Sequence, residues 1–265
     1  MTEEMKVAVF QPYLDKFETD GMRLYCTDMI KQMMDYIFDM PSSTTGKWHN
    51  ATQCQVHGQI YHVLMFAEIL NYILDLKYFK EKFKSPVQRD AMRCAAIFHD
   101  SWKCGDGSSQ YTVFEHPILA GNWVRETKVE HDIEDKIKEA IADMCCAHSG
   151  EWSSSKHSKT ILPEPQNDMQ AVIHVCDILS SRNNIDMAPP EYLADIFKDA
   201  ELPTVEFDPE TTFTFGKYKG EKILDVYDSH PDYVDWCLEN IHKTNVQQTL
   251  KAMKKYLEKD AEMGF

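Results

Sequence analysis

The spacing of apolar residues is helical through almost all of the first 200 residues of this 265-residue chain. Apolar side chains recur three or four positions apart in segments at 22–37, 63–74, 91–97, 118–124, 133–147 and 169–181. Polar or proline-containing stretches separate several of these segments, at 42–50, 153–166 and 183–190. The pattern predicts an all-α bundle, with a further short helix at 191–200.

The last sixty or so residues have a different pattern. Residues 212–218 alternate in the manner of a strand, Lys219 and Gly220 supply a turn, and helical spacing then returns. We place the boundary near residue 205, in an extended acidic segment. The predicted organisation is therefore a helical domain at 1–204 and a small α+β unit at 205–265, which is marginal for independent folding.

The chain carries 28 lysine and arginine residues against 43 aspartate and glutamate residues, a formal net charge of −15. Broad binding of nucleic acid without sequence preference depends on clustered positive charge. This balance therefore argues against such binding, although it leaves room for a local basic contact. Hydrophobic residues make up 43% of the sequence, which is enough for a core and excludes wholesale disorder.

Eight cysteines are scattered along the chain without a CxxC pair, so neither a disulfide framework nor a zinc site of that kind is expected. The first residues contain no basic segment followed by an apolar one, and no run of 18 apolar residues occurs. We therefore expect a cytoplasmic protein with reduced thiols and no membrane partner. The oligomeric state stays open.

Six side chains able to bind a metal occur in or at the ends of the helical segments: His62, His99, Asp100, His116, His148 and Asp177. A single histidine in a helix is more often structural than a ligand, so the hypothesis depends on the whole set. Asp177 is the most constraining member, because it lies in the apolar run AVIHVCDIL. An ionised carboxylate buried there costs several kcal/mol unless it is paired or binds a metal.

Neutral imidazoles and carboxylates suit divalent ions of the Mn, Fe, Co and Zn group. Adjacent residues point about 100° apart on a helix, so His99 and Asp100 can bind one ion only where the helix end is distorted. A carboxylate can bridge two ions through its two oxygens. Six ligands therefore suit a centre of two metals, which can activate a water and neutralise a phosphoryl oxygen.

With these residues in place, the sequence resembles the HD-domain superfamily of metal-dependent phosphohydrolases. The resemblance covers roughly residues 55–185, and its motifs are His62 with VLMFAEIL, IFHDSWK at 97–103, EHPILAGNWV at 115–124, CCAHSGEW at 145–152 and VIHVCDILSSR at 172–182. Five ordered motifs are a far stronger signal than a bare HD dipeptide. They imply an HD-domain helical bundle.

The resemblance also implies the ligand set of two divalent ions, of Mn, Fe, Co, Zn or Mg, with Asp100 bridging them. The family's minimal set corresponds to His62, His99, Asp100 and Asp177, and its two-metal branch adds His116 and His148. Such a centre would cleave a phosphate ester or anhydride of a nucleotide by a metal-activated water. Lys103 stands where many members carry a lysine beside the site, and it would contact the substrate phosphate.

Several further residues have two interpretations. His57 precedes His62 by five positions and is an alternative first ligand, although the apolar helix that follows His62 favours His62. Trp152 lies four residues past His148 and could stack on a base, although a tryptophan of this kind is more often a core or rim aromatic. Arg182 could contact substrate, but a solvated charge explains it equally well. His174 either supports the site or is structural. The histidines in polar surroundings are expected at the surface, at 49, 131, 157, 230 and 242.

Residues 213–240, FTFGKYKGEKILDVYDSHPDYVDWCLEN, resemble the short FGKYKG module of exonucleases of the exodeoxyribonuclease-X type. Lys217, Lys219 and Lys222 would form a compact basic spot in an acidic chain, which suits a phosphate group or the end of a nucleic acid. A hairpin with solvated lysines is the alternative. The role of such a module is poorly defined.

Three classes of function remain after these observations. A phosphohydrolase with a nucleotide or other small phosphorylated substrate is the leading hypothesis. Two-iron HD-domain oxygenases share the same order of ligands, so the ligands alone do not separate the two reactions. The third class is a non-catalytic nucleotide sensor or nucleic-acid-associated protein, against which the complete ligand set argues.

Overall fold

A computed structural model of the chain describes residues 1–43, 49–109, 111–185, 187–197, 207–241 and 244–263. The described residues divide into two compact units, the first ending at Phe197 and the second beginning at Phe207. The boundary that we predict near residue 205 lies outside the described residues, as do the last residues of the helix predicted at 191–200.

The first unit is helical, as the apolar spacing predicts. Its α-helices, in chain order, are α1 Glu3–Leu14, α2 Asp20–Lys31, α3 Tyr36–Asp39, α4 Gly58–Asp75, α5 Lys77–Lys82, α6 Pro86–Phe98, α7 His116–Glu126, α8 Asp135–Ala147, α9 Asp168–Ser180 and α10 Tyr192–Phe197. A short 3-10 turn at Thr52–Cys54 precedes α4. Every metal-competent residue of the predicted set lies in this unit.

One helix prediction is wrong in its extent. The pattern at 22–37 predicts a single helix, whereas α2 ends at Lys31 and α3 is a separate turn. The buried Lys6 of α1 donates from its Nζ to the Met33 carbonyl (2.5 Å), so a tertiary hydrogen bond satisfies a carbonyl two residues past the end of α2. The apolar spacing continues past this point because Met33 and Ile37 are buried in the same core.

Helix α4 is the central element of this unit, and it packs against α6, α9, α3 and α1. It is apolar on most of its circumference, as expected for a helix covered on several sides. Its fully or almost fully buried apolar residues are Ile60, Val63, Leu64, Phe66, Leu70 and Leu74. Burying each large side chain contributes about 1.5 to 3 kcal/mol. The core therefore fixes α4, and with it any polar side chain that α4 directs inward.

An ionic network attaches the loop between α1 and α2 to α6. Asp90, which is fully buried, accepts hydrogen bonds from the backbone N–H groups of Glu18 and Thr19. Glu18 in turn pairs with Arg89 and with Arg93, whose Nη1 lies 3.0 Å from Glu18 Oε1. The hydrogen bond from Arg89 outweighs burial and lowers the pKa of Glu18 to about 2.

Replacing this carboxylate should reduce stability in a pH-dependent way. A folded-state pKa below the ordinary value of 4.5 stabilises the native state above pH 4.5, and this contribution is lost as the pH falls towards 2. Because the Glu18 side chain is 34% exposed, solvent screening reduces the contribution to about 1 to 2 kcal/mol. Urea unfolding should show Glu18→Gln less stable than wild type by this amount at pH 7, and by less at pH 3. An unchanged difference at pH 3 would contradict the assignment.

The second unit contains three helices in its described part, α11 Ile223–Ser229, α12 Pro231–Asn240 and α13 Thr244–Met263. They enclose a small core of Phe213, Tyr218, Ile223, Val226, Val234, Cys237, Val246, Leu250 and Met253. This core explains why so short a segment has regular structure. It is separate from the core of the first unit.

The strand predicted at 212–218 does not form. In the described part of this unit, β structure is limited to one antiparallel bridge between Thr212 and Lys222. The chain turns instead at Gly216, whose φ of +72° is in the left-handed region that favours glycine. The alternation of Phe213 and Phe215 therefore reflects a loop that packs both rings against the small core.

No helix in the described part of the chain is both long and apolar enough to cross a membrane. All eight cysteines are buried, and none forms a disulfide.

Candidate metal centre

The metal-competent side chains come from five different helices or helix ends. His62 lies on α4 and Asp177 on α9, His99 and Asp100 follow the end of α6, His116 begins α7, and His148 follows α8. They meet as two groups, in each of which one ligand atom per residue lies within 4.8 Å of the others. The first group, cluster A, is His62, His99 and Asp177. The second, cluster B, is Asp100, His116 and His148.

In cluster A, three ligand atoms face one another at short distances. The Nε2 atoms of His62 and His99 lie 3.2 Å apart. Asp177 Oδ1 lies 3.2 Å from His62 Nε2 and 3.7 Å from His99 Nε2. Both histidines are buried. These three atoms surround a point rather than pairing off.

Cluster B repeats this arrangement. The Nε2 atoms of His116 and His148 lie 3.2 Å apart, and Asp100 Oδ1 is 3.1 Å from the former and 3.6 Å from the latter. Asp100 also connects the clusters, because its other oxygen, Oδ2, lies 3.5 Å from His99 Nε2 and 3.6 Å from His62 Nε2. Each oxygen of this one carboxylate therefore faces a different pair of histidines.

The end of α6 explains how neighbouring residues can serve one site. Regular helix stops at Phe98, and tight turns follow in which Ser101 N–H donates to the Phe98 carbonyl and Lys103 N–H to the Asp100 carbonyl. These bonds connect residues three apart, which is the spacing of a tightened helix end. His99 and Asp100 consequently both reach the centre.

Hydrogen bonds fix the orientation of the imidazole rings. The Nδ1 atoms of His99, His116 and His148 each lie 2.7 to 2.8 Å from a backbone carbonyl, of Ala96, Val113 and Cys145 respectively. A carbonyl only accepts, so Nδ1 carries the proton in each ring. In the neutral rings the Nε2 lone pairs then point into the clusters, as a metal ligand requires.

His62 reaches the same orientation through a serine. Ser180 Oγ donates its proton to the Asp177 carbonyl (3.0 Å), so it accepts from His62 Nδ1 at 3.3 Å. His62 Nε2 is therefore also free to present a lone pair. In each cluster, two Nε2 lone pairs face each other at 3.2 Å. They repel unless a cation or a proton lies between them, so both clusters favour binding of a cation or a proton.

Electrostatics favour neutral histidines and ionised carboxylates at most positions. Burial lowers the pKa of His62, and burial together with the His99 ring lowers that of His148 to about 3. Burial alone would raise the pKa of Asp100, but the Lys103 ammonium and His99 hold it well below its usual value. The pKa of Asp177 is lowered for a similar reason, through its hydrogen bond with His62.

His99 differs from the other histidines. Burial opposes its charge, but Asp100 outweighs burial and raises the pKa of His99. A proton on His99 and a cation would therefore compete for cluster A, so binding of a cation would release that proton.

Each cluster has a donor set that could hold a metal ion. Asp100 Oδ1 is buried and has no hydrogen-bond partner among the described residues, and a buried orphan oxygen of this kind calls for an ion or a ligand. Four imidazole nitrogens with two carboxylates suit Mn, Fe, Co or Zn. They suit Mg less well, because Mg²⁺ prefers oxygen ligands.

Lys103 lies beside the centre but contacts it in an unforeseen way. Its buried Nζ is 2.5 Å from Asp100 Oδ2 and 3.3 Å from Ser42 Oγ. The ammonium therefore compensates the charge of a metal-competent carboxylate. An ammonium has three N–H donors, and these two contacts leave one for another acceptor.

His57, the alternative to His62, has another role. It caps α4 in the left-handed conformation, with a φ of +62°. Its Nδ1 lies 2.6 Å from the Phe38 carbonyl, and its ring stacks on Phe197 at a centroid distance of 3.8 Å. The geometry therefore makes His62, not His57, the candidate ligand.

Substitutions at these two histidines should separate their roles. His62→Ala is expected to lower the metal content of the purified protein by about one ion per chain, because cluster A loses one of three ligands. His57→Ala should leave the metal content unchanged and affect only thermal stability. Elemental analysis after dialysis against a weak chelator measures both. Equal loss of metal in the two variants would contradict the assignment.

Two residues beside the centre have no conspicuous sequence signal. His49, which we expect at the surface, is instead half-buried with its ring 5.2 Å from that of His62. Burial lowers its pKa to about 3. Gln59, one turn before His62 on α4, is fully buried and donates from Nε2 to Asp100 Oδ2 at 3.1 Å. An inward polar residue in an apolar helix is the one signal that could have identified Gln59.

Trp152 and Arg182 lie next to each other on the first unit. The Trp152 ring is half exposed, and the Arg182 guanidinium lies 5.9 Å from its centroid. His174 links this pair to cluster B, because its ring contacts Trp152 and its Nδ1 donates to the His148 carbonyl at 2.7 Å. Gly150 allows the His174 ring to lie against the backbone at this point, since a Cβ at residue 150 would be only 2.1 Å from the His174 ring.

The predicted basic spot of the second unit is only partly available. Lys217 and Lys219 are exposed, and Lys217 Nζ lies 4.9 Å from the centroid of the Tyr218 ring. Lys222 forms an ion pair with Glu210 at 2.6 Å. Two of the three lysines therefore present their charge without a carboxylate partner among the described contacts.

Comparison with known proteins supports the resemblance of the C-terminal segment. Residues 213–242 match the profile of the exodeoxyribonuclease X-like C-terminal family. Two curated proteins named Exodeoxyribonuclease 10, from Escherichia coli strain K12 and from Escherichia coli O6:H1 strain CFT073, are each 42% identical to this chain over 48 residues.

These matches cover 18% of this chain and 21% of each relative, so the chain spans about a fifth of the length of the curated relatives it matches. No solved structure matches the chain. The predicted resemblance of residues 213–240 to the exodeoxyribonuclease-X module is thus confirmed. Membership of the HD-domain superfamily stays a prediction for the helical unit.

Proposed function

We propose that this protein is a metal-dependent phosphohydrolase of the HD-domain type, and that it cleaves a phosphate ester or anhydride of a nucleotide. One observation carries the proposal: two pairs of histidines, of which all but His116 are buried, face each other with one carboxylate, Asp100, directed at both. A single-metal or purely structural role needs no such duplication. Divalent ions held there would lower the pKa of water and neutralise charge on a phosphate.

The protein's own residues would orient the substrate. Lys103 has one N–H donor not used by Asp100 or Ser42, and it would donate to a phosphate oxygen. Trp152 would stack on the base, since it is half exposed and its ring contacts His174 beside cluster B. Arg182, over the same ring, would add charge at this rim.

The C-terminal unit supports a nucleotide or nucleic-acid context. Its similarity to a segment of Exodeoxyribonuclease 10 concerns a protein whose name states that it acts on DNA. In this chain the exposed Lys217 and Lys219 would contact a phosphate group. The net charge of −15 favours a small substrate neutralised by metal over a long nucleic acid.

The test is metal analysis of the purified protein, followed by a phosphate-release screen over nucleoside mono-, di- and triphosphates and cyclic nucleotides. We expect close to two ions per chain and release from a nucleotide that stops when the ions are removed. Consumption of dioxygen by an iron-loaded form in place of phosphate release would assign an oxygenase. Full metal loading with no turnover on any substrate would assign a binding protein.

A further inference from the structure

Among the described residues, Gln59 is the one neutral side chain outside both clusters that donates a hydrogen bond to Asp100. We propose that Gln59 is a positioning residue, which fixes the rotation of the Asp100 carboxylate so that Oδ1 is presented to cluster B. The inference rests on the metal centre of the proposed function. It goes beyond that function by stating which residue makes the carboxylate able to serve two ions.

The Asp100 carboxylate needs a contact from a rigid element to stay in one orientation. The torsion that rotates a carboxylate has broad preferences, so a contact that moves with the carboxylate leaves it free to turn. Lys103, on the same turn of chain and with a flexible stem, contacts Oδ2 at 2.5 Å and compensates its charge without fixing its rotation. Gln59 supplies the fixed contact to the same oxygen at 3.1 Å from a different helix. With Oδ2 held by Gln59, Oδ1 stays 3.1 Å from His116 Nε2.

The orientation of the Gln59 amide follows from its partner. A carboxylate oxygen only accepts hydrogen bonds, so the amide nitrogen and not its oxygen must face Asp100. The backbone of Gln59 is itself fixed, because its N–H donates to the Met40 carbonyl at 3.0 Å. The donor is therefore held on a rigid element, as support of a metal ligand requires.

Gln59 is a poor choice for stability alone. It is fully buried, and its Oε1 has no hydrogen-bond partner among the described residues. Leaving a buried acceptor unsatisfied is costly, whereas an apolar side chain of similar size avoids that cost. The fold would therefore tolerate Met or Leu at this position, and the benefit of the glutamine lies at Asp100.

The two clusters should depend on Gln59 to different degrees. Cluster A has a carboxylate of its own, Asp177, whereas cluster B has no carboxylate among the described residues except Asp100. If Asp100 loses its orientation, the affinity of cluster B for its ion should therefore fall first. The ion in cluster A should remain.

The test uses the full chain, stripped of metal with a chelator and titrated with Mn²⁺. Calorimetry counts the ions, and electron paramagnetic resonance separates a magnetically coupled pair from isolated ions. For wild type we expect two ions per chain with a coupled signal. For Gln59→Met and Gln59→Leu we expect one ion to bind with nearly wild-type affinity and a second ion to bind about 10- to 100-fold more weakly. The spectrum should then be that of isolated ions.

A matched control is Asn71→Leu, at another buried carboxamide of α4. Asn71 Oδ1 accepts from Arg93 Nε at 2.9 Å, in a contact that involves neither cluster. This variant should lose thermal stability and keep two coupled ions. The Gln59 variants should instead keep their thermal stability and lose the coupled pair of ions. Without metal, their Tm should be within about 5 °C of that of wild type.

Three results would overturn the inference. They are two coupled ions at wild-type affinity in the Gln59 variants, a large loss of Tm in those variants without metal, and a wild-type protein that binds a single ion. Failure of the proposed function has a different signature. A wild-type protein with two coupled ions and no phosphate release would refute the hydrolase and leave the role of Gln59 supported.

Discussion

Asp100→Ala should leave the purified protein with almost no bound metal and no hydrolytic activity. In the described part of the chain, Asp100 is the one residue whose two oxygens face different clusters, so its loss removes a ligand from each. Charge stabilisation by a metal is worth several kcal/mol, and each 1.36 kcal/mol is tenfold in rate. We therefore expect kcat/KM to fall at least about 1,000-fold. Elemental analysis and the phosphate-release assay measure the two effects.

The control for Asp100 must separate loss of metal from loss of fold. Removing Asp100 alone leaves the buried Lys103 ammonium without its partner, which costs about 3 to 5 kcal/mol. The double variant Asp100→Ala/Lys103→Met removes both charges and should recover stability without recovering metal. Asp106→Ala, at an exposed aspartate in the following turn, should keep both metal and activity. Full activity in Asp100→Ala would refute the proposed function.

Lys103→Met should retain two ions per chain and lose about 100- to 1,000-fold in kcat/KM. The ammonium contacts Asp100 Oδ2, where it competes with a cation, so its removal does not weaken metal binding. The activity falls because the proposed contact to the substrate phosphate is lost. Kinetics of the metal-loaded variant test this expectation.

The stability of the Lys103 variant should depend strongly on metal. Without ions, the buried Asp100 carboxylate loses its main compensating charge, and we expect a loss of about 3 to 5 kcal/mol. Added Mn²⁺ should restore most of this loss, because the ions bind the folded state. Lys156→Met, at an exposed lysine, is the matched control and should show neither effect. Loss of metal from Lys103→Met would make Lys103 a structural residue instead.

The all-α architecture of the first unit could be predicted because apolar spacing reports burial directly. The exception at 22–37 shows the limit of that signal, since Met33 and Ile37 remain buried after α2 has ended. The strand predicted at 212–218 failed for a related reason. A loop that packs Phe213 and Phe215 against a small core has the same alternation as a strand.

By itself, the sequence determined that helices would form and that six metal-competent residues lie in or beside them, because an ionisable residue in an apolar run is visible locally. Only the tertiary structure decided how these residues are grouped. His62 differs from His57 through a bond to Ser180, 118 residues away, and Asp100 accepts a hydrogen bond from Gln59 on another helix. Such contacts join residues distant in the chain, so they leave no periodic trace in the order of the amino acids.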